Sequence, residues 1–272
     1  MIDQRDAIDC LTDACGVIHS PVPSNVSPRI VCLVPSITEL LFDLGLEKFL
    51  VGRTGFCIHP RDRVGAVPKV GGTKDVNLKK IRQLEPTHLI VNIDENEKPT
   101  VDQLSQFIPH VIVTHPLNPQ DNLHLYRMLG AIFNVNIQAE QLCQAFQDAI
   151  SNVRVDMTPK HVLYCIWKDP WMTVSEDTYI AQNLALRGWI NVFPQAHAVS
   201  PKRYPQFEWD DPILANTDLI MLSTEPYSFT HQHCEELQRT LLKPVILVDG
   251  EMLSWYGSRA IQGLRYLQNL NI

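Results

Sequence analysis

Signatures of catalysis are missing from this chain of 272 residues. It holds no GxGxxG, no phosphate loop, no HExxH and no GxSxG, and its Ser, His and Asp residues are too scattered to assemble a triad from sequence. Basic residues are in deficit, 23 against 30 acidic ones, for a net charge of −7. That excludes a binder of the nucleic-acid backbone, which needs a basic stripe. No apolar run approaches the roughly 20 residues that span a bilayer. CxxC is absent, and seven cysteines at 10, 15, 32, 57, 143, 165 and 234 are an odd number without framework spacing. Reduced thiols fit that pattern better than a disulfide scaffold. The N-terminus lacks the apolar stretch of about 7–15 residues of a secretory signal, because Asp3, Arg5, Asp6, Asp9 and Asp13 interrupt it. As it stands the chain is expected in the cytoplasm, or in the periplasm if a signal has been removed ahead of residue 1.

What is present is a 45% hydrophobic composition with 12 Gly and 19 Pro dispersed through it, enough to bury a core in one large domain or two lobes. A β/α alternation starts at 29–34 (RIVCLV), a continuous apolar run as in a strand covered on both faces. Pro35 ends it, and Ser36 to Glu39 has capping-box spacing ahead of a helix closed by Gly45. Strands are expected at 49–51, 87–91 and 110–114, and helices at 78–84, capped by Asn77, and 101–107. Residues 119–154 carry two helical faces with a break near 134–136 and almost no strand signal, which reads as a connector. Alternation resumes with strands at 161–166, 218–222 and 244–248 and helices at 178–186, 235–241 and 258–270. This divides the chain into an N-terminal α/β lobe (1–117), a connecting helical segment (118–155) and a C-terminal α/β lobe (156–272).

Aromatic residues are unevenly placed. All five Trp and six of the seven Tyr follow residue 160. Trp167 and Trp171, Tyr227 and Phe229, and Trp255 and Tyr256 follow three expected strands, at the edge where open α/β sheets bind ligands. They either pack their loops or wall a flat apolar cleft for a large planar ligand. Cys57 and His59 in FCIHP are either soft metal ligands on one loop, or a buried thiol and a backbone-bonded imidazole. The run 231–234 (HQHC) reads as a solvated helix start, with a zinc site as its alternative. Asp169, Glu225, Asp249 and Glu251 are candidate helix caps. Arg259 opens the last helix, against the dipole, so it pairs with Glu251 or meets an acidic ligand group.

Together these segments resemble the cobalamin-binding branch of the helical-backbone metal receptors, the class III substrate-binding proteins of ABC importers. The resemblance rests on 29–45, 51–60 (VGRTGFCIHP), 68–91 (PKVGGTKDVNLKKIRQLEPTHLIV), 162–180 (VLYCIWKDPWMTVSEDTYI), 219–229 (LIMLSTEPYSF) and 248–259 (VDGEMLSWYGSR), with 12–16 as the entry segment. It implies an α/β fold of two Rossmann-like lobes with parallel sheets, bridged by a long helix that limits hinge motion, and a ligand cleft between the lobes. It implies non-catalytic binding of a corrinoid such as cobalamin, with no intrinsic cofactor. Iron-siderophore or haem binding is the alternative, and a cytosolic cofactor-handling chaperone or enzyme is the alternative of another class. Phe56 matches the aromatic that faces the corrin and Tyr204 an aromatic contact in the second lobe, while Thr73 stands where some relatives place Trp. With Ser36, His59, Trp167, Trp171, Glu225, Tyr227, Glu251, Trp255 and Arg259, these form the expected ligand-binding set. Cys57 and His59 are the axial-ligand candidates. Relatives offer a permease one acidic residue per lobe. Asp210, beside Glu208 and Asp211, fills that role in the second lobe, but Lys79, followed by Lys80, occupies the matching place in the first, where a cation would repel a permease arginine.

Overall fold

The computed structural model describes residues 11–193, 203–209 and 211–270. They divide into two compact units. Unit 1 contains residues up to 116, 120–146 and 256–259; unit 2 contains 117–119, 147–255 and 260 onward.

Unit 1 begins its sheet with β1 (Ile30–Cys32), buried at every residue. Helix α1 (Pro35–Asp43) follows. Its first turn is set by Pro35, whose fixed φ suits the first helical position, and Val34 precedes it without a side-chain cap. The capping box expected at Ser36–Glu39 therefore does not form. Ile37, Leu40 and Leu41 share one face and are fully buried. Gly45 ends the helix at φ 75°, a left-handed position open to glycine at no steric cost. Then come β2 (Leu50–Arg53), α2 (Leu78–Gln83), β3 (His88–Asn92), α3 (Lys98–Ser105) and β4 (His110–Thr114). Asn77 caps α2 as expected, its Oδ1 accepting the Lys80 amide at 2.9 Å. The four strands run parallel in the order β2-β1-β3-β4. Their core includes Val31, Leu33, Ile81, Leu89 and Leu104. The helical segment is two helices, α4 (Asp121–Ile132) and α5 (Asn136–Ser151), separated where Asn134 takes φ 57°. The break near 134–136 is thus present. Gly130 permits their close approach: a Cβ there would lie 2.5 Å from the Ala139 Cβ.

Unit 2 contains β5 (His161–Trp167), β6 (Met172–Thr173), α6 (Tyr179–Ala185), β7 (Ile190–Asn191), α7 (Asp211–Ala215), β8 (Leu219–Ser223), α8 (His231–Leu241), β9 (Val245–Val248), α9 (Gly250–Ser254) and α10 (Arg259–Asn269). The sheet order is β6-β5-β8-β9, with β7 also on β5 and only β6 antiparallel. Alternate residues serve opposite faces: Val162, Tyr164, Leu219 and Met221 enter one apolar cluster, and Leu163, Cys165, Ile220 and Leu222 enter the other. Covering both faces explains the continuous apolar runs. A capping box does exist, but at α8, where Thr230 and His233 satisfy each other's backbone amides. The HQHC run is therefore a helix start, and among the described residues no group of three or more His, Cys, Asp or Glu is placed to hold a metal. No described helix is long and apolar enough to cross a membrane.

Candidate functional site

Because β5, β8 and β9 are mutually parallel, their carboxyl ends meet one edge of the unit 2 sheet. The rings expected there divide in two. Trp167 ends β5, stays 39% exposed and meets Tyr227 edge-on at 5.5 Å. Tyr227 in turn rests 4.6 Å from Phe229, which is buried. Trp171, by contrast, stacks on Phe229 at 5.7 Å and meets Trp209 at 5.0 Å, so it packs against the lobe's own core. Tyr204 likewise rests, partly buried, against the opposite apolar cluster.

The third strand end is organised by a buried carboxylate. Glu225 Oε1 accepts the Trp255 indole N–H at 2.6 Å and the Ser254 hydroxyl at 3.0 Å. Burial raises its pKa against the pull of those two bonds, and the charges of Glu251 and Asp249 push the same way. Its backbone is fixed by Ser223, whose hydroxyl donates to the Glu225 carbonyl at 2.6 Å and receives the buried Tyr164 hydroxyl at 3.0 Å. Glu225 is thus no helix cap. Asp249 is one, accepting the Met252 amide on α9. Glu251 is half-buried in the first turn of α9.

In unit 1 the loop after β2 exposes Phe56 at 62% and Ile58 at 43%, and Ile93 follows β3 at 47%. Arg53 holds that loop: its buried guanidinium donates to the carbonyls of Val64, Thr54 and Cys57 at 2.9–3.0 Å. Gly72 leaves room beside Phe56, since a Cβ there would stand 3.4 Å from the ring. Thr73 offers its carbonyl to Asn96 at 3.1 Å. The Cys57 thiol turns inward, fully buried, 3.1 Å from both Thr38 and Thr54 hydroxyls, and burial pushes its pKa up. As a metal ligand Cys57 is therefore corrected: the thiol is beyond the reach of solvent. His59 stays half-exposed on the same loop. Ser36, of the expected ligand-binding set, is buried, and its hydroxyl has no partner among the described residues.

Arg259 finds a carboxylate partner within unit 1. Its guanidinium grips Glu39 through two bonds of 2.7 Å, with the side chain 8% exposed. The partner lies 220 positions away, so no local signal in the sequence names it. Two further contacts unforeseen in the sequence flank it in unit 1: Tyr256 donates to Glu95, and the Gly257 carbonyl receives Tyr126 at 2.8 Å. Lys79 and Lys80 stand exposed at the start of α2. Asp210, the expected docking acid of the second lobe, lies outside the described residues.

Residues 30–240 match the periplasmic binding protein family. The chain belongs to that family. The matched stretch takes in the Phe56 and Glu225 loops and stops before α9. A vitamin B12-binding protein of Photorhabdus laumondii is 22% identical over 198 residues, 72% of this chain and 70% of that protein. An uncharacterized ABC transporter substrate-binding lipoprotein of Bacillus subtilis, YvrC, is 24% identical over 189 residues, 62% of this chain and 59% of the lipoprotein. Among solved structures, the periplasmic vitamin B12 binding protein BtuF of Vibrio cholerae superposes with a TM-score of 0.70 at 19% identity, covering 89% of this chain and 96% of that one. The periplasmic heme-binding protein RhuT of Roseiflexus sp. RS-1 does so at 0.72 and 21%, covering 89% and 97%. At such identities the superpositions establish the α/β fold with two parallel-sheet lobes.

Proposed function

We propose that this chain is the solute-binding component of an ABC importer and that it carries, without transforming it, a planar metal chelate of the corrinoid or tetrapyrrole class. The observation that carries this reading is the ring-bearing edge of unit 2, where Trp167 and Tyr227 remain accessible at the ends of parallel strands. The names of the relatives point the same way, to vitamin B12 and to haem. The chelate is cargo, and no resident cofactor is invoked. Two of the cations at these edges, Arg53 and Arg259, are buried and engaged, while Lys168 beside Trp167 is half-exposed. That favours a corrinoid over a strongly anionic siderophore chelate.

A visible spectrum of the protein mixed in turn with cyanocobalamin, aquo-cobinamide and haem tests the reading. A shifted band with one of them, and its unchanged release on denaturation, is the expected result. No shift with any of the three overturns it, and a chemically altered product would move the chain to the enzymes. His59 is the one remaining metal-ligand candidate of its loop. An imidazole-type corrin spectrum that is lost in His59→Ala, while some binding remains, would assign it. Such a component works outside the cytoplasmic membrane, which cell fractionation checks. Permease docking through paired acids lacks its partner in lobe one, where Lys79 stands. Lys79→Glu should strengthen association with a corrinoid permease, and tight, salt-sensitive binding by the unaltered protein would defeat this.

A further inference from the structure

Glu225 is an unusual group to find at a ring-lined edge. It is a half-exposed residue whose carboxylate is drawn inward, and both of its hydrogen bonds converge on one oxygen, from consecutive residues at the end of α9. The approach is built into the backbone. Gly250 opens α9, and a Cβ there would come within 2.5 Å of the Glu225 Cγ and the Ser223 Oγ. Any other residue would push the Glu225 loop away from α9. The far side is held by the relay from Tyr164 through Ser223 to the Glu225 carbonyl. Carboxylate and loop are thus fixed at both ends, and what they fix in turn is an indole.

We propose that Glu225 is the positioning residue that holds the Trp255 ring in one orientation, and that this orientation sets the affinity of the ring-bearing edge for a flat ligand. The proposal rests on the function proposed above. A charge-assisted bond from an indole N–H to a carboxylate is short and directional, so it selects one ring orientation where apolar packing alone tolerates several. Pre-orienting the ring removes an ordering cost that binding would otherwise carry. The bond also makes the ring sensitive to protons. Groups facing the carboxylate are Asp249 and Glu251 from the α9 end, Tyr164 through Ser223 on the sheet, and Tyr266 of α10, which receives the Asp249 amide. The acids resist ionisation of Glu225, so the carboxyl takes up its proton above the ordinary 4.5. Protonation weakens the acceptor, and the clamp loosens as pH falls through that raised value. Folding stability moves the other way, since a buried acid with a raised pKa is relieved by its proton. Affinity and the Glu225 contribution to stability are therefore of opposite pH slope, a pattern that a merely structural carboxylate does not produce.

The test uses the whole chain labelled with 5-fluorotryptophan, whose five indoles give separate fluorine resonances. Trp255→Phe identifies the one in question. In the ligand-free protein that resonance should titrate with pH, and in Glu225→Gln, a mimic of the protonated acid, it should stay at the acid-limit position. With aquo-cobinamide as probe, Glu225→Gln should bind on the order of tenfold more weakly at neutral pH and lose the acid-side fall in affinity. Trp255→Phe, which keeps a ring but no N–H, should lose a similar factor, and the double variant little more than either. A Trp255 resonance indifferent to pH and to Glu225→Gln overturns the proposal, as do additive losses in the double variant. If the unaltered protein binds neither cobinamide nor haem, the proposed function falls separately, and the part of the proposal that concerns Glu225 and Trp255 is then decided by the fluorine titration alone.

Discussion

The two lobes use the carboxyl edges of their sheets differently. In unit 1 the edge is shaped by polar side chains that reach for backbone: Arg53 collects three carbonyls, and Asn96 ties the end of β3 to Thr73. The apolar groups left exposed there are one ring, Phe56, and the aliphatic Ile58 and Ile93. In unit 2 the edge is shaped by ring against ring, and by a carboxylate that orients a third indole. The titrating groups diverge as well. Asp13 loses more to burial than to any one bond. Yet the bonds from His19, Val113, Val17 and Cys15 together hold it below its ordinary value. Buried His88 is pushed down to about 4 by desolvation and by the charges of His110 and His19. Glu225 moves up. Unit 2 has lowered acids of its own in Asp156 and Asp218, so the contrast lies in single groups: His88 resists protons in unit 1, and Glu225 accepts one at a point that controls a ring.

The largest break in this comparison comes from the unit 1 ion pair. Arg259→Ala leaves the partly buried Glu39 without this partner and should cost about 3 kcal/mol in urea unfolding, the low end for a buried pair. A loss below about 1 kcal/mol would mean the pair is hydrated and contributes as a surface pair does. Next come the accessible rings. Trp167→Ala and Tyr227→Ala should each weaken binding of the chelate by roughly 1.5–3 kcal/mol, the indole more because it presents more area. Equal affinities before and after in unit 2 would remove that edge from the site.

Acid should separate the lobes by a smaller amount. A histidine with a depressed pKa is protonated first in the unfolded chain, so its contribution is full above 6.5 and is lost as pH falls toward about 4. Asp13 adds to the loss below its ordinary 3.8, whereas Glu225 opposes it. By linkage, and allowing for screening, unit 1 should weaken by roughly 1–2 kcal/mol, read as faster amide exchange in β3 and β4 than in β5 and β8 between pH 6.5 and 4. Simultaneous loss of protection in all four strands would count against it. The smallest effect compares two helix caps. Asn77→Ala and Thr178→Ala should each cost about 1 kcal/mol, with buried Thr178, which also donates to Ser175, the costlier.

What was legible in the sequence is what local chemistry dictates. The expected strand at 110–114 is β4 to the residue, and the others begin or end within a few positions of expectation. Asn77 and Gly45 sit at helix ends because one accepts an amide and the other takes positive φ. Three ring-bearing strand ends could be read because parallel strands share an edge. What escaped depends on partners far along the chain. Nothing near Arg259 announces Glu39, and nothing near Glu225 announces that it would hold Trp255 rather than cap a helix. Cys57 looked available by composition, but the Arg53 bonds to the carbonyls of Thr54 and Cys57 fold the loop so that the thiol faces inward. His233 in place of Glu hid the capping box of α8, while Ser36–Glu39 displayed the pattern in a helix that begins with proline instead. The two-residue strands β6 and β7 are too short to show any periodicity.

The four residues 256–259 belong to unit 1, although the residues on either side belong to unit 2. They supply the Tyr256 bond to Glu95, the Gly257 amide bond to Asn122, the Gly257 carbonyl for Tyr126 and the Arg259 grip on Glu39. The first lobe is consequently not a separable gene segment. A ribosome that has released residues 1–146 has not yet made the piece that completes it, and a fragment cut there is an unfinished lobe awaiting its last turn. Supplying 250–272 as a separate peptide should restore cooperative melting to such a fragment, whereas the same peptide carrying Arg259→Ala should not.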